Sequence, residues 1–173
     1  MRSLKQTLAL LIASGLLTAA ALTMVSSWGM HRSGTVVQQA YVGKDVTADI
    51  LPPPMYLIEL RLVLSQALEG SMSAIQARGE AQRLEQEYRA RVAYWRANPP
   101  YGLEATLLGA QHTAAERFFR STERVLEKVT AGDIAGAQSE LQLAHADYLD
   151  HRKGVDATVV EALAFAQNAA QEF

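Results

Sequence analysis

The chain has 173 residues, with 16 lysines and arginines against 18 acidic residues. That near balance argues against a nucleic-acid binder, which would normally carry a basic face. The absence of cysteine removes disulfides, thiolate zinc sites, covalently attached haem and cysteine nucleophiles together. Alanine, leucine, glutamine, glutamate and arginine dominate, which is the composition of long helices.

Arg2 and Lys5 precede an uncharged run from Thr7 to Trp28. The run is long enough to cross a hydrocarbon core of about 30 Å as a helix. Basic residues before it and Trp28 at its far end fit an anchor with its N-terminus inside and the remainder outside. A cleaved signal peptide is the competing reading, with Ala19-Ala20-Ala21 as the small residues. The uncleaved anchor is preferred because apolar residues continue past that point. The expected layout is a cytoplasmic segment 1–6, a transmembrane anchor 7–28 and a sensory domain 29–173. The first two would place the chain at a bacterial inner membrane, with its bulk in the periplasm.

Met30 to Ile50 reads as a loose helix containing Gly34 and Gly43. Pro52, Pro53 and Pro54 then break it, because each locks φ and removes a backbone donor. Beyond the break, Leu57, Leu60, Leu64 and Ala67 recur at helical spacing. Glu69-Gly70-Ser71 predicts a stop at glycine and a serine cap for the next helix; Gly79 is the rival turn position. The second helix has the seam Ala74, Ala77, Ala81, Leu84, Tyr88, Arg91, Trp95 and ends in the loop Asn98-Pro99-Pro100-Tyr101-Gly102. The third has the seam Leu108, Gln111, Ala115, Phe118, Thr122, Val125, Val129. Asp133 caps the fourth, whose seam runs Ile134, Ala137, Leu141, Ala144, Tyr148, His151, Val155, Thr158, Ala162, Phe165, Ala169. Spacing of this kind predicts knobs-into-holes packing of near-parallel helices.

The expected fold class is therefore all-α: an N-terminal transmembrane helix, then an up-down-up-down four-helix bundle whose first helix is broken at Pro52–Pro54. Counted from Trp28, the first and fourth helices are each about 60 Å long and the second and third about 42 Å. The long pair would reach the membrane.

Counting down from the turns at Gly70 and Gly132 puts Tyr88, Arg91, Gln111, Tyr148 and His151 at the depth of the break and of Tyr56. Arg91, Gln111 and His151 stand where a bundle normally places apolar residues. Such a layer can simply fix register. As a ligand site it would use Arg91 for an organic anion, although Glu59, Glu87 or Asp150 could pair that arginine instead. A ligand here would bias a small shift of the fourth helix against the first. Tyr94, Trp95 and Tyr101, beside Tyr41 and Lys44, form a secondary candidate recess; the competing reading is a plain aromatic cap on the open end of the bundle. Catalysis finds no motif: the histidines at 31, 112, 145 and 151 have no metal-ligand spacing, and His112 with Glu116 is a weak pair. No enzyme activity, cofactor or metal is expected.

DVTADILPPPMYLIELRLVLSQALEG, EYRARVAYWRANPPYGLEATLLGAQH and DYLDHRKGVDATVVEA resemble the periplasmic sensory region of bacterial methyl-accepting chemotaxis proteins. The resemblance implies a small-molecule sensor, a homodimer, and a receptor that signals through a second membrane helix, a HAMP linker and a cytoplasmic coiled coil to a histidine kinase. The sequence ends at Phe173, before any such second span, so a receptor fragment or a truncated gene product is expected. The alternative function is a membrane-anchored helical structural or interaction protein with no small-molecule ligand.

Overall fold

The computed structural model describes residues 4–50 and 57–171. They form α1 (Leu4–Ile50), α2 (Ile58–Glu69), α3 (Ala74–Ala97), a π-helical segment (Ala105–Ala110), α4 (Gln111–Thr130) and α5 (Ile134–Gln171). No strand occurs among the described residues. Pro52, Pro53, Pro54 and Tyr56 lie outside them, between the end of α1 and the start of α2.

α1 contains an apolar stretch, Leu10–Met30, long enough to cross a membrane. It begins and ends slightly later than the uncharged run. Leu10, Leu11, Leu16, Leu17, Leu22 and Val25 are exposed on it. Three of its hydroxyls bond within the helix: Ser14, Thr18 and Thr23 donate to the carbonyls of Leu11, Ser14 and Ala19. Back-bonding of this kind satisfies those hydroxyls without water.

The turns follow local chemistry. Gly70 closes α2 at φ 78°, a left-handed conformation natural to glycine. The α3 cap is Ser73, not Ser71: Ser73 and Gln76 form a reciprocal capping box, while Ser71 donates to the Gln66 carbonyl. Gly79 lies inside α3. At the next reversal Gly132 is left-handed at φ 71°. Asp133 then caps α5 by accepting from the Gly136 N–H at 2.9 Å and pairs with Lys128 at 2.9 Å.

Most of the predicted seam positions are buried; Ile134, read into the fourth seam, is exposed at the start of its helix, and Ala74, Arg91 and Leu141 are partly buried. Leu57, Leu60, Leu64 and Ala67; Ala77, Ala81, Leu84, Tyr88 and Trp95; and Ala137, Ala144, Tyr148, His151, Val155, Thr158 and Ala162 are all buried. The third seam needs one correction. Leu103 and Leu107 are its most buried positions before Gln111, because the wider π turn advances the buried face in steps of four, and Leu108 packs partly buried beside them. Segments of this kind are frequent beside functional sites.

Partner contacts set the directions. Gly43 meets Ala162 and Ala166, Arg61 bonds His145 at 3.4 Å, and Leu68 shares a recess with Leu141. The partners on α5 step back by about as many residues as α1 and α2 step forward. The two helices thus run one after the other along α5 and antiparallel to it. α4 is antiparallel to α5, with Arg117 on Asp147 at 3.1 Å and Arg124 on Glu140 at 2.9 Å. α3 is antiparallel to α4, with Arg89 on Glu116 at 2.9 Å.

Candidate functional site

Two adjoining regions carry the polar and aromatic residues singled out above. The first is a buried layer. Tyr88, Gln111 and His151 are each fully buried. The Tyr88 and His151 rings stand edge to face, 6.2 Å apart. His151 Nδ1 donates to the Gln111 carbonyl at 3.2 Å, which defines it as the protonated ring nitrogen on that side. Thr158 Oγ1 lies 2.8 Å from the Gln111 side-chain carbonyl and 2.8 Å from the Gly154 carbonyl. One hydroxyl proton serves these two acceptors, and Gln111 Nε2 has no partner among the described residues. α5 comes this close because position 154 is glycine: a Cβ there would lie 2.7 Å from Gln111 Cα.

The layer continues outward through His112. Its Nε2 lies 3.2 Å from Arg96 Nη2 and its Nδ1 lies 3.2 Å from the Tyr88 hydroxyl. Arginine only donates, so Nε2 accepts and Nδ1–H donates to the Tyr88 oxygen: His112 is neutral. Burial is the main cause holding its pKa below the ordinary histidine value; Glu116 opposes this, and Arg96 and Arg89 reinforce it. Burial likewise raises the Tyr88 phenol, with Glu116 adding to the effect.

The remaining predicted residues go elsewhere. Tyr148 packs on Phe118, ring centroids 5.8 Å apart, and stacks with His145. Arg91 is only half-buried; its guanidinium lies 4.4 Å from the Tyr94 ring centroid and 5.8 Å from that of Trp95. Glu59 and Glu87, the proposed partners of Arg91, instead hold Arg83 at 2.9 and 2.8 Å. Asp150 holds Arg117 and Lys153.

The second region is a recess of about 420 Å³ between α1 and the end of α3. Tyr41, Val42 and Asp45 line it from α1, and Tyr94 and Trp95 from α3. The loop contributes Asn98, Pro99 and Tyr101. Trp95 is buried, whereas Tyr41, Tyr94 and Tyr101 are exposed at its rim. Tyr101 has φ 50°, which non-glycine residues rarely adopt. Its ring stacks on Phe165 of α5, centroids 6.4 Å apart. The secondary candidate set thus comes together around one space, with Tyr41 as expected and with Asp45 rather than Lys44 beside it. Asp45 was legible in principle, one helical turn beyond Tyr41 on the same face. Gly154 carried no such signal, since its role depends on what stands opposite.

Among the described residues no group of three or more histidines and carboxylates is placed to hold a metal ion. No protein-family model, curated protein or solved structure matches the chain.

Proposed function

We propose that this chain is the ligand-sensing part of a transmembrane receptor of the chemotaxis type. In this reading α1 anchors it in a bacterial inner membrane and the rest lies in the periplasm. It is an up-down-up-down four-helix bundle, with α1 and α2 as one leg broken at Pro52–Pro54, and it acts as a homodimer without enzymatic activity. The successive antiparallel contacts of α2, α3, α4 and α5 support that arrangement.

One observation carries the reading. α1 holds the membrane-length apolar stretch, and its next turns form one wall of the aromatic recess. An occupant of the recess therefore bears directly on the helix that leads to the membrane. α1 is held on its other side against α5, where Gly43 leaves no room for a Cβ beside the Ala162 carbonyl, at 2.9 Å. A ligand wedged between α1 and α3 would shift α1 against α5, and packed interfaces of this kind switch between discrete arrangements. The buried layer below couples α3, α4 and α5 into one body against which α1 moves.

Thermal unfolding of the full chain in lipid nanodiscs, with a panel of small metabolites, tests this. A true ligand at a hundred times its Kd stabilises by about 2.7 kcal/mol, and Tyr41→Ala and Tyr94→Ala should abolish the effect while His151→Ala keeps it. If no metabolite stabilises the chain, the alternative of an anchored helical interaction protein takes its place.

A further inference from the structure

We infer that the recess between α1 and α3 takes a small organic ammonium ion, held by the Asp45 carboxylate and the faces of the surrounding tyrosines. This rests on the sensing reading above and gives it a ligand class.

The charge balance of the lining comes first. Asp45 is the one charged side chain among the described residues lining the recess. Nothing among the described residues bonds or pairs with it, whereas Arg83 and Arg89 each engage carboxylates on two helices and Arg117 engages two on α5. An anion entering the recess would meet Asp45 with like charge, and a neutral molecule would leave it unused.

The walls point the same way. Ring faces attract cations through their quadrupole, and tryptophan and tyrosine do so best. Tyr41, Tyr94, Trp95 and Tyr101 surround a volume of about 420 Å³, within the range of small-molecule sites. Tyr94 already demonstrates the preference, since the Arg91 guanidinium rests 4.4 Å from its ring centroid. Arg91 itself is not among the described residues that line the recess. Tyr101 is kept at the rim by a strained backbone, its N–H bonded to the Pro99 carbonyl at 3.0 Å. Non-glycine residues held in such conformations cluster at ligand clamps.

The test is calorimetric titration of the full chain in phosphatidylglycerol nanodiscs with choline, its neutral tert-butyl isostere and the anion pivalate. Choline should bind, the isostere about tenfold or more weaker, and pivalate not measurably. Asp45→Asn should cost about tenfold in choline affinity, an effect that shrinks with added salt; Asp156→Asn, exposed on α5, should leave it unchanged. Equal affinity for choline and its isostere, undiminished choline binding by Asp45→Asn, or no choline binding at all overturns the ammonium assignment. Pivalate binding that Tyr94→Ala removes would also overturn it while leaving the sensing reading standing; that reading fails only if the whole metabolite panel is silent. Repeating the titration in phosphatidylcholine nanodiscs identifies the source of the ion. Competition by the lipid points to a headgroup, and unchanged choline affinity to a free solute; either result keeps the ammonium class.

Discussion

A Cβ added to Gly154 would lie 2.7 Å from the Cα of Gln111. No flexible side chain stands in the way there; the obstacle is the backbone of α4. Glycine in a helix ordinarily costs up to about 1 kcal/mol relative to alanine, so Gly154→Ala would stabilise the chain if the space were open. Here the sign reverses. Gly154→Ala should destabilise by about 1–3 kcal/mol, as overpacking does. Gly79→Ala in α3, where nothing lies within 4 Å, should stabilise by about 0.5–1 kcal/mol. Urea midpoints of the two variants in detergent check the contrast.

The Gln111–Thr158 pair should behave as a coupled polar unit. Thr158→Val alone strands the Gln111 amide in a buried layer and should cost about 1–3 kcal/mol. Replacing both, Gln111→Met with Thr158→Val, removes the stranded group and should cost less than the sum of the singles. A double-mutant cycle giving additive losses would show that the two side chains act independently.

Asp147 and Asp150 both bind Arg117, at 3.1 and 3.0 Å, yet they should not be equivalent. Asp147 also accepts from Ser121 Oγ at 2.6 Å, and Ser121 is buried. Asp147→Ala should therefore cost about 1–3 kcal/mol, because the buried Ser121 O–H loses its acceptor while its oxygen keeps the bond from Arg124 Nη2. Asp150→Ala breaks exposed pairs and should cost about 1 kcal/mol or less. Denaturation midpoints of the two variants separate the cases.

His112 sets a pH dependence. Its folded pKa is lowered from 6.5, with burial the first cause. Above pH 6.5 the group is neutral in both states and its contribution to stability is complete. As the pH falls below that value the unfolded chain takes up the proton first, so stability declines until the folded pKa is passed. Protonation also turns Nε2 into a donor facing Arg96. Stability of the native chain should fall through this window, and the part due to this site should be missing in His112→Gln. Denaturation midpoints taken across the mildly acidic range measure it.

Much of the helical framework is written in local chemistry. The apolar run of α1, the glycines at 70 and 132, the Asp133 cap and the Asn98–Gly102 loop follow from propensity and backbone restriction alone. The seams follow from spacing, because a residue every third or fourth position must share a face. The depth at which Tyr88, Gln111 and His151 meet follows from counting, because a helix rises by a constant amount per residue.

What spacing could not decide is where a side chain goes once its helix is placed. Arg91 occupies a seam position, but a long guanidinium side chain seeks the best available face. Its guanidinium lies over Tyr94, a residue of its own helix. The π segment was equally hidden, since one added residue in a turn looks like ordinary helix in a one-dimensional pattern. It nevertheless centres the buried face on Leu107, with Leu108 only partly buried. Asp45 became notable only when tertiary packing set it among the aromatic rings of two other segments. The sequence by itself determined most of the helices, their turns and most of their inward faces, because those depend on interactions within a few residues. Tertiary structure alone decided which polar groups meet and which recess opens, because those depend on what each helix finds opposite it.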